Sequence, residues 1–511
     1  MKNFNKFMLL VPNTRWFGKR CWMWFNPAAA ILLPIIKEYG LCVEVLEANI
    51  DNLSPLQIKE RVKDFNPDIV GITNMSLEYW RQAHFSAQLI KEVDKKIITV
   101  MGGAHPTTLP YKVMEDYNID YIILSEGEER LPQFFDILQS NNIDFSKMNG
   151  IGYRQEGKVV LRKPVGFINN LDKLPFPDYS IFDWKKVMFN EQKSVVGLGT
   201  RTTPVGIVLT SRGCRYKCCF CANSLTMGRN VRLCSSERVL KEIDILVKNY
   251  GIKELIFTDD EMYADRERCI EIFNGLVRRN YDLIWKNTNL AAWRMDYDLV
   301  KLMKKSGCYQ ITISPESGSS RVLREIIHKP TNKQHSYNVI KWCRELDIET
   351  EADFVIGFPG ETWEEIRETT NFAEKLNADA VKFAIATPFP GTELFKQAVN
   401  GGYLSENFEF YRDDTLGFAH GVIETEEFTV KELEMLRCFE WDRINFKNQM
   451  KKEKYAKMNM MTLKELETFR QETRRNVGLY FLDQASDDRL GINQYKHTKH
   501  TNTFNSITEI K

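Results

Sequence analysis

No stretch of this 511-residue chain is apolar for long enough to span a bilayer. Its first residues, MKNFNKFMLLVPNTRWFGKR, have a short apolar run and no small-residue cleavage site, so a secretory signal is not expected. The expected location is the cytoplasm. A charge excess is also missing. Seventy Lys and Arg face 69 Asp and Glu, for a net +1. That balance gives no electrostatic reason to expect nucleic acid or an anionic membrane as a partner. Histidine is scarce, with seven in all and none between His105 and His328. Eleven cysteines in so long a chain do not suggest a disulfide scaffold. Only one tight group exists, between Cys214 and Cys221. Scattered cysteines such as Cys42, Cys269 and Cys343 read as buried small apolar residues. No solenoid-type repeat is present.

What is present is alternation. The runs FMLLVPN, LCVEVLEA, DIVGITNM, IITVMGG and DYIILSEG read as strands, separated by helical segments such as AAAILLPIIKEYG and HFSAQLIKEV. Five βα units fit an α/β fold with a doubly wound, flavodoxin-like domain over residues 1–140. Residues 141–200, with Pro175 and Pro177, read as an extended connector. A second βα series follows over 201–400, with strands expected at GIVLTS, ELIFTD, DLIWKN, QITISPE, ETEADFVIGF and AVKFAIATPF. Six units fall short of a closed eight-unit barrel, so a partial (β/α)6 barrel is expected. Residues 401–511 turn mostly helical, and the polar tail QYKHTKHTNTFNSITEIK is expected to fray.

Residues 211–221, SRGCRYKCCFC, place Cys214, Cys218 and Cys221 in a Cys-x3-Cys-x2-Cys spacing just after a strand. Three thiolates on so short a loop can converge on one soft metal centre. An iron–sulfur cluster usually takes four cysteines, so three leave one iron open to a substrate. Structural zinc is the alternative. It needs a fourth ligand, and with no nearby His this falls to Cys219 or Cys234.

With Phe220 before the last cysteine, the loop resembles the signature of the radical S-adenosylmethionine (SAM) family. The resemblance runs from about Thr203 to about Phe395. It implies a [4Fe-4S] cluster on Cys214, Cys218 and Cys221. FTDDEMY, with Asp259, Asp260 and Glu261, resembles the segment holding the SAM methionine amine. Arg294 in AAWRMD is a candidate partner for the SAM carboxylate. ISPESGS, with Glu316 and Ser317, resembles the ribose-facing segment. FVIGFPGET, with Gly357, Pro359 and Gly360, resembles the stretch near adenine. TPFPGTELF, with Pro388 and Gly391, resembles the closing barrel strand. Each segment alone has a bland reading as a cap, turn or solvated strand end. Their order at successive strand ends favours the site.

A flavodoxin-like domain can serve FMN, a phosphorylated aspartate or cobalamin, and fold alone does not choose. MGGAHPTTLP, with Gly102, Gly103 and His105, and ILSEGEERLP, with Glu126, Gly127 and Glu128, resemble the cobalamin-binding domain found before many radical SAM enzymes. The usual cobalt-ligating His loop is replaced here by VPNTRWFGKR, which has no His. Any bound cobalamin would therefore lack a lower His ligand, and His105 is not assigned as one. Asn74, Met75 or Trp16 are candidates to cover the lower face. The aromatic stretch 16–27 reads equally as corrin shield or interdomain packing.

The resemblance implies a cobalamin-dependent radical SAM enzyme of the methyltransferase type. It would cleave SAM reductively to a 5′-deoxyadenosyl radical and methylate an unactivated carbon of a small-molecule or peptide natural-product intermediate. A reducing partner such as flavodoxin or ferredoxin is implied. Ring formation, rearrangement and porphyrin cyclisation are the alternatives within the family. A non-catalytic iron–sulfur or corrinoid sensor is the alternative outside enzymes. His420, in GFAHGV, is a weaker candidate for a substrate contact, a packed or solvent-facing role being the simpler one.

Overall fold

The structure, a computed structural model, describes residues 4–18, 22, 25–184, 199–404, 408–409 and 419–479. The polar tail and part of the aromatic stretch 16–27 lie outside the described residues. The chain divides into two compact units. The first comprises residues 1–192, 204–215 and 222–252, and the second 193–203, 216–221 and 253–511.

In the first unit five parallel strands form as expected: β1 (Lys6–Val11), β2 (Cys42–Glu47), β3 (Ile69–Asn74), β4 (Ile98–Gly103) and β5 (Tyr121–Ile123). Their order is β2-β1-β3-β4-β5. Successive side chains leave opposite faces of a strand. In β1, Met8 and Leu10 join one apolar core while Phe7, Leu9 and Val11 join another. Helices on both sides cover these cores, so β1 is apolar on both faces. Helix Pro55–Phe65 shows why the boundaries fall where they do. Ser54 and Gln57 form a capping box, Pro55 opens the first turn, and Asn66 closes it in a left-handed conformation.

The segment expected to be only a connector adds two antiparallel strands, β6 (Ile151–Gln155) and β7 (Lys158–Arg162), beside β5. Their turn places Glu156 and Gly157 at φ +49° and +76°. Two such residues fit the twist of a tight hairpin. Glu-Gly is a weaker hairpin signal than Asn-Gly, which is why the sequence pattern missed it. The unit also holds β8 (Val205–Val208), the short pair β9 (Ser211–Arg212) and β10 (Arg232–Leu233), and helix Ser236–Tyr250.

The second unit carries β11 (Glu254–Phe257), β12 (Ile284–Leu290), β13 (Cys308–Glu316), β14 (Glu349–Ile356) and β15 (Ala380–Ile385), parallel and in consecutive order. With β8, all six strands expected after residue 201 form. Helices cover one sheet face, where Trp285 stacks on Phe273 of helix Arg266–Arg279 at 5.1 Å and Phe354 meets Phe372 of helix Trp363–Leu376. Burying one such ring contributes roughly 2–3 kcal/mol. The opposite face carries Lys286, Thr312, Glu351, Asp353 and Lys382. Edge strand β15 is closed by helix Val430–Asn445. The Asn445 amide donates to Val381 C=O and accepts from its N–H, both at 2.8 Å. Arg470 and Arg474 of helix Leu463–Asn476 bind Asp442 and hold the C-terminal helices together.

Among the described residues no helix is long and apolar enough to cross a membrane. Cys269 and Cys343 are buried as expected, but Cys42 is exposed at the start of edge strand β2.

Candidate functional site

The cysteine loop sorts its four thiols by backbone. Cys219 is 2% exposed, donates its N–H to Ile327 C=O at 3.0 Å and accepts from Leu394 N–H at 2.9 Å. Burial, and then the neighbouring Cys218, push its thiol far up, so it stays protonated. Cys234 is also buried. Cys214 and Cys218 are half-buried and Cys221 is exposed, so the three spaced thiols are the accessible ones. A mononuclear zinc centre gathers its ligands around one point. Among the described residues no three His, Cys, Asp or Glu side chains are so gathered. Three accessible thiols on one short loop are the donor set of an iron–sulfur cluster that keeps one iron open.

Two polar residues that sequence reasoning passed over stand in the second unit, Lys329 and Asp353. The Lys329 ammonium lies 2.7 Å from Glu316 Oε1, with side chains only 10% and 7% exposed. Burial disfavours that ammonium, but Glu316 and the thiols of Cys218 and Cys221 outweigh it and raise its pKa. Glu316 itself sits at φ +64°, a left-handed conformation that is uncommon outside glycine, at the end of β13. Asp353 Oδ1 is buried with no hydrogen-bond partner among the described residues. Burial and then Glu351 push its proton affinity up, and Lys382 and Lys329 oppose them. The signal for Asp353 was legible. Glu349, Glu351 and Asp353 fall on one face of β14 while Ala352, Phe354 and Ile356 fall on the other. Lys329 had no such signal, since it lies in a loop 13 residues beyond Glu316.

The other expected residues divide. Arg294 Nη2 donates to the Tyr216 hydroxyl at 3.0 Å and lies 3.5 Å from Glu261 Oε1, and Trp293 Nε1 donates to the same hydroxyl at 2.9 Å. Asp259 and Glu261 are buried, and Asp260 is half-buried. Phe220 meets Phe358 at 5.9 Å between ring centroids. Gly357 sits at φ +89°, where a Cβ would come within 2.5 Å of Leu433 Cδ1. Its N–H donates to Glu361. The Ser317 hydroxyl is committed to Thr369 Oγ1 and the Ser319 N–H. Pro388 is buried. His420 is exposed and pairs with Glu434 at 3.2 Å.

In the first unit the C-terminal ends of β3 and β4 meet at Asn74 and Gly103. Gly103 has φ +108°, and a Cβ there would fall 2.0 Å from Asn74 O. Gly102 has open space where its Cβ would be, with only Ile123 O at 3.9 Å. Asn74 Oδ1 and Gln82 Oε1 are buried with no partner among the described residues. A glycine cradle flanked by unpaired amide oxygens fits a large flat cofactor rich in amide N–H groups. Met75 is half-buried just beyond. His105 is buried, 3.2 Å from His84 Nε2, and burial followed by His84 pushes its pKa down to about 3. Gly127 packs against Leu32. Glu126 binds Arg212 and Arg232 at 2.9 and 2.6 Å, and Glu128 binds Arg212 at 2.6 Å. These carboxylates therefore clamp the strand that leads into the cysteine loop. Trp16 packs edge-on against Phe85.

Comparison with known proteins agrees with both halves. The radical SAM superfamily model matches residues 208–373, and the B12 binding domain model matches residues 23–135. An uncharacterized methyltransferase of Pyrococcus horikoshii is 33% identical over 410 residues, covering 80% of this chain and 86% of the relative. The cytidylyl-2-hydroxyethylphosphonate methyltransferase of Streptomyces wedmorensis is 28% identical, covering 83% and 86%. The radical SAM methyltransferase TsrM of Kitasatospora setae shares the fold, at TM-score 0.65 and 18% identity, covering 78% of this chain and 76% of that one. With a three-thiol loop after β9 and a glycine cradle at the end of β4, the chain belongs to the cobalamin-dependent, methyltransferase-like radical SAM enzymes.

Proposed function

We propose that this protein methylates an unactivated carbon of a small molecule or peptide, in the cytoplasm, with electrons from a flavodoxin- or ferredoxin-like donor. The observation that carries the reading is the buried Lys329–Glu316 pair near the thiols of Cys218 and Cys221, with Asp353 Oδ1 unpaired among the described residues. A bound cluster and cobalamin supply the electron transfer and the methyl group, and the protein supplies position and shelter.

Cys214, Cys218 and Cys221 would hold the cluster. Lys329 has the charge and burial to receive the SAM carboxylate, a role sequence reasoning gave to Arg294. Glu316 and Asp353 are suited to accept hydrogen bonds from the two ribose hydroxyls. Glu261, with Asp259 and Asp260, would face the amine, and Arg294 would hold Glu261 and Tyr216 in place. Phe220 and Phe358 offer a flat wall to adenine, beside Gly357. In the first unit Asn74, Met75, Gly102, Gly103 and His105 would line the cobalamin site.

The test is anaerobic reconstitution with iron, sulfide, hydroxocobalamin, SAM and a one-electron reductant. The expected result is 5′-deoxyadenosine, and with substrate a product heavier by one methyl group. Nucleoside no higher than in a Cys221→Ala control would overturn the enzymatic reading. An anaerobic magnesium-protoporphyrin monomethyl ester cyclase of Rubrivivax gelatinosus is 29% identical over 357 residues, so a product without added methyl mass would favour cyclisation.

A further inference from the structure

We propose that Thr107, Ser125 and Arg232 are positioning residues that tie the Gly102–Gly103 end of β4 to Cys214, so that corrinoid binding and cluster loading favour one another. The inference rests on the reading of that strand end as the cobalamin cradle.

The connection is continuous within the first unit. The Thr107 hydroxyl donates to Gly103 C=O at 2.6 Å and accepts from the Ser125 N–H at 2.7 Å. The Ser125 hydroxyl donates onward to Thr226 C=O at 3.0 Å, in the short helix just after Cys221. One residue on, Met227 C=O accepts from Arg232 at 2.8 Å, and Gly228 C=O accepts from the Cys214 N–H at 3.2 Å. A second strand of contacts runs parallel. Glu126, next to Ser125, binds Arg232 and also Arg212, two residues before Cys214. Burial opposes ionisation of Glu126, but Arg212 and Arg232 outweigh it and hold its pKa down, so the clamp is charged.

The backbone at the joints does not yield easily. Ser125 holds φ +64° without being glycine. A Cβ on Gly213 would meet Asn230 O at 2.4 Å, and one on Gly228 would meet the Phe167 ring at 2.4 Å. Strained or tightly fitted positions like these persist where the surroundings fix them. A ligand that orders the Gly103 end therefore orders the Cys214 end, and linkage makes the effect reciprocal.

The experiment is titration of the full chain with hydroxocobalamin, followed by visible absorbance, with the cluster loaded and with iron removed by chelation. Wild type should bind hydroxocobalamin at least about fivefold more tightly with the cluster in place, a typical coupling factor. Thr107→Val and Ser125→Ala should bind both cofactors but cut the ratio below about twofold, and Thr107→Ser should restore it. Equal affinities in the two wild-type states would overturn the coupling while leaving the cobalamin site standing. No hydroxocobalamin binding in either state would overturn the cobalamin reading, and the coupling with it. A ratio unchanged in both Thr107→Val and Ser125→Ala would remove these residues from the connection.

Discussion

The two parallel sheets of this protein treat their faces differently. In the first unit both faces of β1, β3 and β4 are apolar, and each enters its own hydrophobic core. In the second unit one face is just as apolar, but the other carries Lys286, Glu351, Asp353 and Lys382. A doubly wound sheet must bury both faces under helices, so its chemistry is confined to the strand ends. A barrel-type sheet has an inner face, and that face can hold charge. The difference teaches where to look for function. In the first unit a strand-interior residue concerns packing, whereas in the second a polar strand-interior residue belongs either to a site or to an ion pair.

Breaking the first sheet should show in stability alone. Phe134 is fully buried against Tyr121 and Phe145. Phe134→Ala should cost about 3–5 kcal/mol in denaturant unfolding. SAM cleavage per folded molecule should stay near wild type. A large loss of cleavage without loss of stability would remove the distinction between the sheets.

Breaking the second should show in chemistry. Lys329→Met leaves volume similar but removes the cation beside Glu316. It should lower the rate of 5′-deoxyadenosine formation about a hundredfold, equivalent to about 2.7 kcal/mol. The check is anaerobic single-turnover chromatography, with circular dichroism to confirm folding. A drop below about threefold would dismiss Lys329 from SAM binding.

The smallest effect sharpens the comparison. Lys382 pairs with Glu351 at 2.7 Å, both largely buried. Replacing a whole buried ion pair with apolar residues is often nearly neutral. The double variant Glu351→Leu/Lys382→Met should unfold within about 1 kcal/mol of wild type and cleave SAM normally. Lost cleavage at unchanged stability would move this pair from packing into the site.

Much of this was legible in the chain. Short apolar runs alternating with helical segments gave every strand from β1 to β5 and all six strands expected after residue 201. The hairpin β6–β7 was not legible, because its turn uses Glu156 at a positive φ that sequence does not announce. The Glu126 and Glu128 carboxylates read as cofactor contacts. In the fold they meet Arg212 and Arg232, more than 80 residues away in sequence.

The sequence by itself determined the chemistry available: three thiols at Cys-x3-Cys-x2-Cys spacing, a Gly-Gly pair at the end of the fourth strand, and acids at successive strand ends. Such features are local, because a short loop or strand end carries its donors with it. Only the tertiary structure decided which donors serve. It buried Cys219 through backbone bonds to Ile327 and Leu394, exposed Cys221 beside it, and brought Lys329 to Glu316. Adjacency along the chain fixes which groups exist near one another, whereas burial and charge pairing depend on segments that meet only when the chain folds.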